Sequence, residues 1–418
     1  MPPPPRYPRR DSSPASSAPP PGSEGWLRPW AQMKYFSFHP AVYPNMIRAV
    51  SPDAGAGDLV HVYDKEGQLF GSGFFNPKAH VPLRVLQHGE NVLSEDTLDA
   101  RLDAALDLRL KTLRLNDSTE AWRAVHSDGD GLSGLVVDRY ADVLSIEVTT
   151  LGIWRRLRRW LPKMHAALGT NLHVIEVDPD IARIEAIRRA DIPEADVPAP
   201  RSVRIRENNV RYQVNFEDGH KTGFFCDQRD NRVRFARLAQ GHGGRVLDLC
   251  SYTGGFALSA KVLGKCEDVT GVDLDEKAIA QAKKNADLNQ VRLDWVHGDT
   301  FTWSRQMHQN GALWDAVVLD PPKLIFSRDA EEGQLGRNKY YDMNAVALNL
   351  TRRGGLFVTC SCSGLLDVAE FEDIVMRAAH RNKRRLQIID RTGAGADHPV
   401  MSNCPEGRYL KVLWCIAW

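Results

Sequence analysis

No two of the seven cysteines in this chain form a C-x-x-C pair, and its thirteen histidines are scattered. Zinc frameworks built from paired cysteines are therefore excluded, and no metal centre is expected. Charge of one sign is also missing. Lys plus Arg number 54 against 53 Asp plus Glu, a net charge of +1, so no global basic field announces a nucleic-acid partner. No membrane or export signal is found. The opening stretch from Met1 to Gly22 is rich in Pro and Ser and has no apolar segment of secretory type. It cannot bury enough surface to offset chain entropy, so residues 1–32 are expected to form a disordered tail. With cysteine usage of the reduced type, a cytoplasmic protein is expected. The Gly129-Asp-Gly-Leu-Ser-Gly134 stretch lacks the Lys-Ser/Thr that closes a phosphate loop, so it reads as a turn. There is no internal repeat of solenoid type.

What is present begins at Val246-Leu-Asp-Leu-Cys-Ser-Tyr-Thr-Gly-Gly-Phe256. An apolar run reaches Asp248, a short glycine turn follows, and a helical pattern starts at Phe256. Strand, tight turn and helix make the first unit of a nucleotide-binding α/β fold, in which glycine lets backbone approach a ligand closely. This turn is not spelled G-x-G-x-x-G, whose glycines admit a pyrophosphate. One carboxylate before a short turn suits a nucleoside bearing an amino acid, with Asp248 on its ammonium, and points to S-adenosylmethionine. Ser251, Tyr252, Thr253, Gly254 and Phe256 are then candidate cofactor contacts. Two further apolar runs end in acids: Val269-Thr-Gly-Val-Asp273, placed for ribose hydroxyls, and Trp295-Val-His-Gly-Asp299, placed for an adenine edge. Between them, Asp275 to Asn289 reads as an amphipathic helix. Each acid has a plainer reading as a helix N-cap.

The chemistry is expected downstream. Trp314-Asp-Ala-Val-Val-Leu-Asp320-Pro-Pro-Lys323 reads as a strand stopping at a Pro-Pro rim, and Leu356-Phe-Val-Thr-Cys360-Ser-Cys362-Ser-Gly364 as a strand running into a turn. Ligands in open α/β sheets gather beyond the carboxyl ends of the strands, so Asp248, Asp273, Asp299, Asp320 and Cys362 should converge. If the second strand persists, Cys360 and Cys362 share one face. A thiol and a carboxylate beside a methyl donor suggest covalent chemistry on a pyrimidine. A thiolate adds to carbon 6 of cytosine and makes carbon 5 nucleophilic, while Asp320 bonds the N3/N4 edge. Cys226, Cys250, Cys266, Cys404 and Cys415 read as core residues.

These motifs resemble the bacterial large-subunit ribosomal RNA methyltransferase I family, which makes 5-methylcytosine in 23S rRNA. The resemblance is carried by Gly219-His-Lys-Thr-Gly-Phe-Phe-Cys-Asp-Gln-Arg-Asp-Asn-Arg232, the Ser251–Phe256 turn, Asp320–Lys323 and Ser361-Cys-Ser-Gly364, with Asp397-His-Pro399 and Pro405-Glu-Gly407. It covers nearly everything after about residue 33. It implies an α/β protein: a Rossmann-like class I methyltransferase domain (199–418) preceded by a β-rich PUA domain (33–105) and a small central α/β domain (106–198). It also implies Cys362 as nucleophile and places Asp227 and Gln228 in the cofactor pocket. Thr359-Cys-Ser361 resembles the equivalent motif of other RNA 5-methylcytosine enzymes and nominates Cys360 instead. The expected partner is 23S rRNA or an assembling large subunit, with no membrane, and a homodimer is left open. His39-Pro-Ala-Val-Tyr43 departs from the His-Pro-Trp-Val-Phe-like stretch usual in relatives.

Two other functions compete. Asp-Pro-Pro followed by an aromatic accompanies amino-group methylation, so a guanine-nitrogen methyltransferase is one alternative, although Lys323 stands where the aromatic would be. The other is a non-catalytic SAM-binding assembly factor. Elsewhere, Leu59–Tyr63 and Leu69–Phe74 suggest a hairpin, Leu98 to Leu115 a helix, and Val210–Phe216 a lead-in strand. Ile192 to Pro200 suggests a linker. Trp154-Arg-Arg-Leu-Arg-Arg-Trp160 and Arg381-Asn-Lys-Arg-Arg385 are basic clusters that could meet phosphates or simply form solvated helix faces.

Overall fold

The computed structural model describes residues 19–188, 190, 200–216 and 224–418. Most of the expected tail, nearly all of the expected linker and Gly219–Gly223 lie outside the described residues.

The first sheet is built from β1 (Trp30–Met33), β2 (Ala41–Val42), β3 (Ile47–Val50), β4 (Asp58–Tyr63), β5 (Leu69–Phe75) and β6 (Leu83–His88), in the order β2-β6-β5-β4-β1-β3. The β4–β5 pair is the expected hairpin, with Val60 opposite Gly73. The tail expected through residue 32 ends earlier than that. Trp26 stacks on Tyr63 at 4.1 Å, Leu27 N donates to the Tyr63 hydroxyl, and β1 already pairs from Trp30. Aromatic burial of this kind offsets the ordering of a short Pro/Gly segment.

The helix α1 (Glu95–Asp107) starts on a capping box between Ser94 and Thr97. Its Leu98, Leu102, Ala105 and Leu106 pack with Trp122, Leu144 and Trp160. It therefore belongs to the central unit, and the boundary expected at residue 105 moves to its N-terminal side. That unit continues with β7 (Ala121–His126), β8 (Leu135–Tyr140), β9 (Val143–Val148), α2 (Leu151–Leu168), β10 (Leu172–Glu176) and α3 (Pro179–Glu185), in a sheet ordered β10-β9-β8-β7. The basic run lies on α2 with its tryptophans inward, but its arginines are not all solvated. Arg156 is buried and bonds Glu95, Arg159 bonds Asp99 at 2.6 Å, and Arg155 bonds Asp58 at 2.8 Å.

A hairpin of β11 (Ser202–Glu207) and β12 (Val210–Asn215) packs between the central unit and the last domain, joining Ala121 and Tyr140 to Leu258 in one apolar cluster. The last domain contains α4 (Arg229–Gln240), β13 (Arg245–Leu249), α5 (Gly255–Val262), β14 (Asp268–Asp273), α6 (Glu276–Leu288), β15 (Asp294–His297), α7 (Thr300–Gln309) and β16 (Trp314–Leu319). After these come α8 (Ala330–Leu350), β17 (Thr351–Ser361), α9 (Val368–Arg381), β18 (Leu386–Thr392) and β19 (Lys411–Ala417). The strand order is β15-β14-β13-β16-β17-β19-β18, parallel except for β19, which runs antiparallel between β17 and β18. Alternate residues face opposite layers. Leu247, Val317 and Phe357 pack on Tyr340 and Phe371 of α8 and α9, whereas Val246, Val318 and Val358 pack on Phe235 and Phe256 of α4 and α5. The strand order reverses between β13 and β16, which opens a crevice at their carboxyl ends. Among the described residues no helix is long and apolar enough to cross a membrane.

Candidate active site

The turn after β13 is held in a shape few residues tolerate. Cys250 and Tyr252 have φ of 63° and 50°, and Gly254 has φ of 89°. A Cβ on Gly254 would stand 2.6 Å from the Trp295 ring, so glycine is required twice over. Asp273 at the end of β14 pins this turn: its Oδ2 accepts from Tyr252 N at 2.7 Å and its Oδ1 from Asp275 N at 2.9 Å. The Thr253 carbonyl accepts from Asn285 Nδ2, and Phe225 sits edge-on to Tyr252 at 5.2 Å.

Asp248 is fully buried. Its Oδ2 accepts from Ala257 N at 2.9 Å in the first turn of α5, while Oδ1 has no partner in the structure. The Ser251 hydroxyl and Asp227 Oδ1 are likewise buried and unpartnered. Burial, with Asp320 and Asp273 nearby, pushes the Asp248 carboxyl up to about 8. Asp320, just past β16, is also pushed up to about 7 by burial and by Asp227. Gln228 Nε2 donates to Asp320 Oδ2 at 3.0 Å, and the Tyr409 hydroxyl donates to Asp227 Oδ2 at 2.7 Å. Four carboxyls at 227, 248, 273 and 320 thus crowd one crevice with too few cations to neutralise them. A ligand bearing an ammonium and a sulfonium supplies the missing charge, so the donor set fits S-adenosylmethionine.

Three expectations change. Asp299 caps α7: its Oδ1 accepts from Thr302 N and Thr302 Oγ1, both at 2.8 Å, as its plainer reading held. Phe256 is buried edge-on to Phe235, so its ring braces the turn from behind rather than facing the crevice. Cys250 and Cys404 are half-buried rather than core residues, and the Cys250 thiol lies 3.7 Å from Thr300 Oγ1.

The two downstream cysteines also separate, because β17 ends at Ser361. Cys360 is fully buried within the strand beside Asp320; burial and that carboxyl push its thiol well above the usual range. Cys362 lies one residue beyond the strand, is half-buried, and has its Sγ 4.0 Å from the Pro321 carbonyl. The Pro-Pro rim and the cysteine turn are tied together by Ser363, whose hydroxyl accepts from Leu324 N and Ile325 N and bonds the Tyr340 hydroxyl at 2.9 Å. Phe326, exposed at this rim, lies under Lys323 with the ammonium 5.8 Å from its ring.

Sequence reasoning missed Tyr409, Lys411, Tyr340 and Phe326. The first two follow directly on the Pro405-Glu-Gly407 motif, which was the available signal. Among the described residues His39, Cys404 and Glu406 could offer three ligand atoms within 4.8 Å. His39 Nδ1 accepts from Ala41 N, so its Nε2 carries the proton and donates to Glu406, which commits the group to hydrogen bonding.

Comparison with known proteins agrees with this geometry. The PUA-like domain family matches residues 26–88, and the S-adenosylmethionine-dependent methyltransferase family matches residues 198–405. A solved structure provisionally described as a methyltransferase, complexed with SAH, superposes with a TM-score of 0.72 at 20% identity, covering 86% of this chain and 91% of its own. A provisional SAM-dependent methyltransferase from Streptococcus mutans gives 0.70 at 20% identity over the same shares. Proteins named ribosomal RNA large subunit methyltransferase I are similar along almost the whole chain. That of Aliivibrio fischeri is 32% identical over 90% of this chain and 95% of its own, and that of Alteromonas mediterranea 33% over 90% and 94%. Such identity across all three units, with the cofactor-type crevice intact, means that the chain belongs to the ribosomal RNA large subunit methyltransferase I family and ends in an S-adenosylmethionine-dependent methyltransferase domain.

Proposed function

We propose that this chain methylates carbon 5 of a cytosine in large-subunit (23S) ribosomal RNA, with Cys362 as nucleophile. The names of its relatives support the RNA class. The observation that carries the chemistry is the contrast between the two thiols: Cys360 is sealed in the core against an acid, whereas Cys362 stands at the crevice beside the Pro321 carbonyl.

Bound in the crevice, S-adenosylmethionine supplies an electrophilic methyl group. Asp248 and Asp227 would hold its ammonium and Asp273 its ribose, with Ser251 to Gly254 as backbone cradle. Carbon 5 of cytosine is a poor nucleophile until the Cys362 thiolate adds to carbon 6. The ring is then an enamine, and after methylation the loss of its carbon-5 hydrogen to a base expels the cysteine. Asp320, pushed up to about 7, is partly protonated at neutrality. A protonated carboxyl offers O–H to N3 and a carbonyl to the N4 amino group, which is the pattern of cytosine and opposes that of uracil. Phe326 offers an apolar face to an unstacked base.

The test is incubation with radiolabelled S-adenosylmethionine and unmodified 23S rRNA, followed by nucleoside analysis, for wild type, Cys360→Ala and Cys362→Ala. Label in 5-methylcytidine, lost only in Cys362→Ala while cofactor binding persists, is expected. Label in a methylated guanosine, or indifference to both substitutions, sinks the thiolate mechanism. RNA binding without transfer to any rRNA points to an assembly factor.

A further inference from the structure

A thiol that attacks a pyrimidine must first lose its proton, and the group best placed to govern that proton at Cys362 lies on the neighbouring strand. Lys411 opens β19 in register with Ser361 and is 4% exposed. Its Nζ donates to two backbone carbonyls, Ser363 O at 2.6 Å and Tyr409 O at 2.9 Å. A neutral amine has two N–H groups and a lone pair; an ammonium has three N–H groups. Bonding the Ser363 carbonyl places Nζ one residue along the chain from Cys362, and the two groups interact electrostatically.

The surroundings let this amine exist in both protonation states. Burial lowers Lys411 to about 8, against the opposing pull of Cys362 and Asp367. On the α8 side Tyr340, pushed up to about 12 mainly by burial, stays a neutral phenol beside the same thiol. Glu372, Arg391, His398 and Arg408 line the recess on the far side of Lys411. The geometry cannot drift, because Ser363 is held by Leu324 N, Ile325 N and Tyr340 as well as by Lys411.

We propose that Lys411 is the positioning residue whose ammonium favours loss of the Cys362 proton and holds the resulting thiolate. The S–H bond breaks, the proton passes to water, and the neighbouring ammonium stabilises the thiolate until it attacks. Cys360 has no such partner: its neighbour is the Asp320 carboxyl, which opposes ionisation. Lys411 therefore selects between the two cysteines. The proposal rests on Cys362 being the nucleophile, so its test must be separable from methyl transfer.

The full-length protein is alkylated with iodoacetamide between pH 6 and 10, and the label on Cys362 is followed by peptide mass spectrometry. Wild type is compared with Lys411→Met and Lys411→Arg, and Cys362→Ala sets the background. Wild type should ionise below the ~8.5 of a free cysteine. Lys411→Met should raise the midpoint by a unit or more, slowing alkylation at pH 7 about tenfold. Lys411→Arg keeps a permanent cation and should stay within about threefold of wild type. An unchanged profile in Lys411→Met, or equal losses in both variants, overturns the proposal. If the Met variant fails to fold, the Arg variant decides alone: fast labelling at pH 7 supports the pair and slow labelling refutes it. Product formation by Cys362→Ala would instead refute the nucleophile assignment without touching the alkylation profile.

Discussion

Cofactor affinity should depend steeply on pH, and the dependence can be worked from the crowded carboxyls. Asp248 is pushed from the ordinary 3.8 up to about 8, first by burial and then by Asp320 and Asp273. In the free protein it is therefore mostly protonated at neutrality. Holding an ammonium requires the carboxylate, so below pH 8 binding must expel that proton. The cost is about 1.4 kcal/mol per pH unit, or roughly tenfold in Kd. Between pH 6 and 7.5 the Kd should tighten roughly 30-fold through Asp248 alone. Above that the ligand's own α-amine, with a pKa of about 7.7–8.0, begins to deprotonate, so affinity should peak near pH 8 and then fall.

Isothermal titration calorimetry in buffers of different ionisation enthalpy reads both quantities, and about one proton should be released per ligand below pH 7. In Asp248→Asn most of the slope disappears, leaving a shallower one through Asp320. The reasoning fails if the Kd changes less than about twofold between pH 6 and 7.5 and the heat is independent of buffer. The same sign governs the free protein. A carboxyl raised in the folded state contributes stability below its unfolded pKa and loses it as pH rises through the folded one. These two acids should thus lower the melting temperature of the free protein between about pH 4 and 8, and cofactor should restore it.

Two further outcomes are expected. Gly254→Ala forces a side chain into a left-handed turn 2.6 Å from the Trp295 ring, which should cost about 1–3 kcal/mol and abolish cofactor binding while leaving the far-ultraviolet circular dichroism intact. Asp397→Asn strands the buried Arg229 guanidinium that now bonds both its oxygens at 2.9 and 3.0 Å, so chemical denaturation should show a loss of roughly 3–5 kcal/mol.

The cofactor crevice was legible because parallel strands buried on both faces read as apolar runs, and their ends are marked by acids. Asp248, Asp273 and Asp320 followed from that pattern. What it could not supply was direction. Asp299 and Phe256 stand at the expected positions, but one carboxyl turns to cap α7 and one ring turns into the core. Lys411 and Tyr409 reach the site only because β19 inserts antiparallel between β17 and β18, a long-range pairing that no local period announces. The basic clusters are mostly exposed, and one arginine of each departs from a solvated face for a similar reason. Arg156 bonds Glu95, and Arg384 donates to the carbonyls of Leu348, Thr351, Ala417 and Trp418. Positive charge in sequence does not reveal acids or carbonyls brought close by the fold.

Asp397 has a consequence for how the chain is made. Its carboxylate accepts from Arg229 of α4, from Arg123 N of β7 and from His398, which hold it well below the usual carboxylate range despite burial. Its carbonyl accepts from the fully buried Arg109, 288 residues earlier. During synthesis, the central unit therefore emerges with Arg109 already paired to Asp130 but lacking the carbonyl acceptor that lies nearly three hundred residues on. The central slot between β17 and β18 likewise waits for β19. Neither the Asp397 contacts of the seam nor the bond from Lys411 to the Ser363 carbonyl can form until almost all of the described chain has been translated. On the proposed Cys362 mechanism, a nascent chain would carry the thiol without its lysine, and catalytic competence would arrive late in translation rather than domain by domain.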